Sequence, residues 1–230
     1  MQQATVRYTT QMGLLSILFQ NPIAFFLVAG ILIISITIHE FAHAWVADKL
    51  GDPTPRYQGR VTLNPLAHLD PLGTAALLFI GFGWGKPVMF DPYNLKDQQR
   101  DTALIALAGP ASNILMALVI AIIAGFVGAA SPLFNLIVSL SLFYNVMLAI
   151  FNLVPVAPLD GSKILMGILP KDTAYEYEKF MARYGMFVLI ALIFPWSGGG
   201  SPVSQLVSPV IQAVVTGLVF ISNLVGGLIA

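Results

Sequence analysis

From residue 14 to residue 47 apolar side chains follow one another with a single break, at Gln20-Asn21-Pro22. Within that run, residues 22–38 (PIAFFLVAGILIISITI) carry no charge. A bilayer crossing takes about 20 mostly apolar residues, so this run predicts a membrane-spanning helix. The same criterion selects 102–130, 132–154 and about 184–195, the last with an amphipathic approach at 173–183. A fifth candidate, about 203–229, is long enough but contains Ser, Gln, Asn and several Gly residues. The run 72–85 (LGTAALLFIGFGWG) is apolar, yet too short and too rich in Gly to cross as a helix, and predicts a re-entrant or extended segment. The expected fold is an all-α polytopic membrane protein: a helical bundle of about four to six spans with a short re-entrant or β-hairpin segment near residues 60–95. One membrane-embedded domain covering residues 1–230 is expected.

Composition agrees with a lipid setting. The chain is 57% hydrophobic and 10% charged, against about 25% charged in soluble domains. Its net charge is zero, which gives no reason to expect a nucleic-acid partner. It has no cysteine, which excludes disulfides, thiolate zinc sites and a cysteine nucleophile. The N-terminus (MQQATVRYTTQMGLLSILF) lacks the basic, apolar, small-residue layout of a cleavable signal, so the first apolar segment is expected to stay as an anchor. Lys and Arg fall at 7, then 49, 56 and 60, then 86, 96 and 100, then 163, 171, 179 and 183. If 72–85 dips in and returns, all but Arg7 lie on one side, which the positive-inside rule makes the cytoplasm. A prokaryotic cell membrane, with the active site toward its cytoplasmic side, is the expected location.

Candidate chemistry sits at the end of the first span, where His39-Glu40-Phe41-Ala42-His43 spell H-E-x-x-H. Four residues apart on a helix, the two imidazoles share a face and can reach one Zn²⁺. Glu40 beside them can act as general base toward a water that the metal activates. The bland alternative is a pair of buried histidines satisfied by neighbours, but ionisable residues in a span are costly and usually functional. Catalytic zinc usually takes a third protein ligand. His68 lies among prolines with no partner spacing and reads as a loop residue. Asp48, Asp52, Asp70, Asp91, Asp97, Asp101 and Asp172 read as surface-loop residues. Asp160 differs: it ends Asn152 to Gly161 (NLVPVAPLDG), where Pro155 and Pro158 break a helix at membrane depth and Gly161 allows a sharp turn. A carboxylate there lines a cavity or binds something, so Asp160 is the third ligand; a helix N-cap is its bland alternative.

The chain resembles the site-2 protease family of intramembrane zinc metalloproteases, in its minimal branch without PDZ or CBS domains. The resemblance rests on H-E-F-A-H (39–43), on N-x-x-P-x-x-P-L-D-G (152–161), on A-G-P-A-S-N (108–113), on 61–74 (VTLNPLAHLDPLGT) and on G-W-G-K-P-V (83–88). It implies one zinc per chain on His39, His43 and Asp160, Glu40 as general base, and Asn152 as a residue that binds substrate or stabilises the oxyanion. It also implies a substrate that is a membrane-anchored protein, cut in or near its transmembrane segment. The stretch 81–90 could then form an edge strand that holds the unwound substrate. Pro110 and Asn113 are expected to serve packing rather than chemistry. The rival reading is a membrane metal-ion transporter with a His/His/Asp transit site, which needs no general base.

Overall fold

The computed structural model describes residues 14–81, 83–128, 130–196 and 200–229, and every regular element among them is a helix. In chain order these are α1 (Leu14–Gln20), α2 (Pro22–Leu50), α3 (Thr54–Tyr57), α4 (Pro71–Ile80), α5 (Gln98–Val127), α6 (Pro132–Asn152), α7 (Asp160–Ile168), α8 (Lys171–Ile193) and α9 (Pro202–Ile229). Arg7 and part of the Gly-rich turn before α9 lie outside the described residues.

The long helices begin and end where local chemistry requires. Pro22 opens α2, the Asn21 side chain accepts from Ala24 N–H at 3.1 Å, and Gly51 closes it in the left-handed region at φ 114°. Asp97 caps α5 through Arg100 N–H at 3.0 Å, while Asp101 Oδ2 accepts from Asp97 N–H at 3.1 Å. Among the described residues, four helices are long and apolar enough to cross a membrane: α2, α5, α6 and α9. The set differs from the sequence expectation at one end of the chain. The stretch 184–195 falls mostly in the apolar half of α8, whose first half carries Lys171, Asp172, Glu176, Glu178, Lys179 and Arg183. The 203–229 stretch is one of the four, because its few polar residues are spread along a 28-residue helix.

Helix α5 is the centre of the bundle. Ile105, Gly109, Asn113, Ala117 and Ala121 recur every four residues and all are buried. A matching stripe on α2, formed by Ser35, His39, His43 and Ala47, is buried too. Residues four apart share a helix face, so two stripes meet along their length. Beyond the polar part, Ala117 and Ala121 join Leu142 and Val146 of α6 and Val207, Ile211 and Leu218 of α9 in the main apolar core. Small residues set the spacing: a Cβ on Gly125 would lie 2.5 Å from the Ser222 carbonyl oxygen. Phe26, Ile34, Leu115, Phe126 and Phe220 face outward, an arrangement suited to lipid and costly in water.

Between α2 and α5 the chain doubles back. Helix α4 runs only ten residues, and the return passes close enough that a Cβ on Gly73 would lie 2.2 Å from the Trp84 carbonyl oxygen. This is a re-entrant segment. Among the described residues it has no strand ladder; a single antiparallel bridge, Leu69 to Gly85, takes the place of the expected edge strand. The loops are more ordered than their composition suggested. Asp52, expected on the surface, is fully buried, because its carboxylate accepts from Thr54 Oγ1 (2.6 Å), Thr54 N–H (3.1 Å), Asp91 N–H (2.7 Å) and Asn94 Nδ2 (2.8 Å). Burial opposes its charge, but these bonds outweigh it and hold the Asp52 carboxyl below its ordinary range. Asp101, also expected on the surface, is buried as part of the α5 cap.

Candidate metal centre and catalytic site

Helix α5 fixes both imidazoles of α2. His43 Nδ1 lies 2.7 Å from the Ile105 carbonyl oxygen, which can only accept, so Nδ1 carries the proton. His39 Nδ1 lies 2.6 Å from Asn113 Oδ1. The Asn113 amide nitrogen is turned the other way, donating to the Ser35 carbonyl (3.2 Å) and Asn145 Oδ1 (3.1 Å), so its oxygen accepts from His39. Both rings therefore turn Nε2 to the same side, and the two Nε2 atoms stand 3.0 Å apart. Gly109 leaves room for this: a Cβ there would lie 2.4 Å from His43 Nε2 and 2.5 Å from His39 Nε2.

Asp160 arrives from across the bundle. Its Oδ2 is 3.1 Å from His39 Nε2 and 3.3 Å from His43 Nε2. It is the first residue of α7, whose N-cap is Leu159 without a side-chain capping bond, so the capping alternative does not describe it. Gly161 acts by close approach rather than by the sharp turn expected from the sequence. It lies within α7, and a Cβ there would fall 2.2 Å from the Leu153 carbonyl oxygen. Three hydrogen bonds hold the end of the short helix and the turn before it against their neighbours. Gln99 of α5 donates to the Met166 (2.6 Å) and Leu169 (2.7 Å) carbonyls, and Tyr177 of α8 donates its hydroxyl to the Pro155 carbonyl at 2.8 Å.

This donor set fits zinc. Two imidazole nitrogens and a carboxylate oxygen, all ligand types that zinc takes, converge on one point. The triangle they form has edges of 3.0, 3.1 and 3.3 Å. Ligands at zinc–nitrogen and zinc–oxygen bond lengths in a tetrahedron are separated by about 3.3 Å. It is the one such cluster of three among the described residues.

Glu40 is part-buried beside the cluster. Its Oε2 lies 3.7 Å from Arg60 Nη2, and Gly85 packs against its Oε1. Arg60 is almost wholly buried and donates to the Lys86 carbonyl. His68, read as a loop residue, is completely buried and donates Nε2–H to the Thr62 carbonyl at 2.7 Å. Burial, reinforced by the positive charge of Arg60, pushes its imidazole below the ordinary value, so it is neutral at neutral pH. Asn152 sits at the end of α6 with its amide nitrogen donating to the Leu148 carbonyl at 2.9 Å, one turn back in its own helix.

Sequence reasoning assigned Asn113 to packing, used Gly109 only as part of A-G-P-A-S-N, and assigned Arg60 no role at the site. Asn113 carried a usable signal, since a fully buried amide in a membrane span is as costly as the carboxylate that flagged Asp160. Gly109 and Arg60 had none, because their roles depend on contacts made across the fold.

Residues 127–192, from the end of α5 into α8, match the model of peptidase family M50. YwhC of Bacillus subtilis is 36% identical over 173 residues, covering 70% of this chain and 77% of that protein. Rip2 of Mycolicibacterium smegmatis is 29% identical over 179 residues, covering 74% of this chain and 67% of Rip2. MJ0392 of Methanocaldococcus jannaschii is 31% identical over 179 residues, or 77% of this chain but only 45% of its own length. All three bear zinc metalloprotease names. No solved structure matches the chain.

Proposed function

This chain belongs to peptidase family M50 and is a zinc metalloprotease built on membrane-spanning helices, and on that premise we propose that it hydrolyses peptide bonds in or beside the transmembrane segments of membrane-anchored proteins. His39, His43 and Asp160 hold the zinc, and Glu40 is the general base. The observation that carries this reading is the convergence of two imidazole Nε2 atoms and Asp160 Oδ2, with Glu40 next to His39 on the same helix.

Bound zinc supplies a Lewis acid that polarises the scissile carbonyl and acidifies the attacking water. The chain's own residues do the rest. Glu40 takes the proton from that water and passes it to the leaving amine, while Asn113 and the Ile105 carbonyl keep both imidazoles in the ligating tautomer. Asn152 is the candidate oxyanion donor, a kind of contact whose loss costs about 3 kcal/mol elsewhere. To serve, its amide turns from the Leu148 carbonyl toward the substrate. A helical substrate has its carbonyls hydrogen-bonded, so it must unwind locally before attack. Water reaches the site from the side of the basic loops, which the positive-inside rule makes the cytoplasm of a prokaryotic cell.

Glu40→Gln tests the reading. With a purified membrane-anchored substrate in detergent, the variant should bind zinc as the parent does and lose cleavage by about 10² or more. Retained cleavage would refute Glu40 as the base and revive a transit role for the metal cluster.

A further inference from the structure

Glu40 is fenced on two sides by residues outside the helix that carries both histidines. On one side is the bridge between Leu69 and Gly85, extended by Lys86 N–H donating to the His68 carbonyl at 2.7 Å. A Cβ on Gly85 would sit 3.1 Å from Glu40 Oε1, 3.0 Å from Ile36 Cγ2 and 3.3 Å from the His68 carbonyl oxygen, so the carboxylate is wedged against bare backbone. On the other side is Arg60, whose side chain is 4% exposed. Arg60 is launched inward from a tight turn, with Gly59 at φ 69° and Arg60 N–H bonded to the Pro55 carbonyl at 2.8 Å.

A guanidinium buried to this extent must be paired, because an unpaired buried charge is expensive. The opposite charge within reach is Glu40, at 3.7 Å. The same Nη2 donates to the Lys86 carbonyl, so one nitrogen ties the carboxylate to the re-entrant segment that walls it. Glu40 Oε2, Arg60 Nε and His68 Nδ1 have no hydrogen-bond partner among the described residues, so packing and charge alone set the carboxylate here.

We propose that Arg60 is a positioning residue for the reaction: it holds the Glu40 carboxylate in one orientation beside the metal cluster and locks the Gly85–Lys86 backbone behind it. This rests on Glu40 being the base. Orientation is worth much to such a group, since misplacement by about 1 Å can cost 10²-fold in rate. An aliphatic residue would fill the same space without aiming the carboxylate. A lysine would supply the charge, but on a flexible stem that does not hold one nitrogen between Glu40 and the Lys86 carbonyl as the rigid guanidinium does.

The test compares Arg60→Met, Arg60→Ala and Arg60→Lys with Glu40→Gln, measuring kcat, KM, bound zinc and thermal stability on a membrane-anchored substrate in detergent. Arg60→Met should lose about tenfold or more in kcat, part of the ~10² to 10⁴ that a placed general base supplies, with KM within about twofold and zinc content unchanged. Arg60→Lys should fall between Arg60→Met and the parent. Millimolar guanidinium should restore part of kcat to Arg60→Ala and leave the parent unaffected. If the Met and Ala variants do not fold, Arg60→Lys decides: reduced kcat at full zinc supports the proposal, and parental kcat overturns it. A loss that tracks zinc, or that appears only in KM, also overturns it. Normal Arg60 variants beside an inactive Glu40→Gln would sink this inference alone, whereas an active Glu40→Gln would sink the general-base assignment beneath it.

Discussion

His39 and His43 reach the metal centre from one unbroken 29-residue helix, whereas Asp160 reaches it from a nine-residue helix behind a proline-rich turn. The histidine half is buried, and both of its rings are fixed. Each ring has its second nitrogen committed to a buried partner on α5, and Gly109 marks a wall with no room to spare. The carboxylate half is tied at its edges by Gln99 and Tyr177, and its seating depends on Gly161 lying against the Leu153 carbonyl. A helix can carry two ligands at fixed spacing with no outside help. The third must be delivered from elsewhere in the chain, and several weaker contacts share that work.

The comparison breaks most sharply at Gly109. Gly109→Ala adds one methyl group to a good helix former, so helix propensity predicts no harm. The added Cβ would nevertheless occupy the space of both Nε2 atoms, at 2.4 and 2.5 Å, and neither α2 nor α5 can retreat from a buried stripe. The variant should insert and retain its helical circular dichroism, yet hold no measurable zinc and cleave nothing. Normal zinc content would mean that the histidine half has slack, contrary to the contrast drawn here.

Next in size is Asn113→Leu. This removes the acceptor that fixes His39 as its ligating tautomer, and partners of metal-bound histidines typically contribute 10- to 100-fold in metal affinity or activity. It also strands Asn145 Oδ1 in the interior, at a cost of about 1–3 kcal/mol. A chelator competition should therefore show zinc held 10- to 100-fold more weakly, with a lowered melting temperature. Unchanged affinity would make Asn113 the packing residue that sequence reasoning took it for.

Asn113 also shows where legibility ends. The H-E-x-x-H helix was readable because its geometry is local: spacing, apolar run and chemistry all lie within a few residues. Asp160 was readable because prolines and a carboxylate at membrane depth demand an explanation. Asn113 made the same demand, but 74 residues separate it from His39, and nothing in a linear sequence says which buried groups meet. Asp52 was misread for the same reason: its burial depends on Asn94, which lies 42 residues away. At the C-terminal side, 184–195 and its amphipathic approach at 173–183 form one helix, whose charged residues keep it out of the set apolar enough to cross. The re-entrant run was recognised from its length and its glycines, while the bridge that replaced a strand depends on Leu69 meeting Gly85.

The smallest expected effect belongs to the carboxylate half. Tyr177→Phe deletes one hydroxyl donation to the Pro155 carbonyl and leaves the ring in place. A typical intramolecular hydrogen bond contributes about 1 kcal/mol net, or roughly fivefold in an equilibrium. Tyr177 is only part-buried, so water can take over much of that role, and Gln99 still holds the far end of α7. Zinc affinity should then weaken by no more than about fivefold, well short of the loss in Asn113→Leu. The same chelator competition decides. A loss equal to that of Asn113→Leu would show that the turn before Asp160 is held as rigidly as the histidine helix, and that α8 belongs to the metal site rather than to its support.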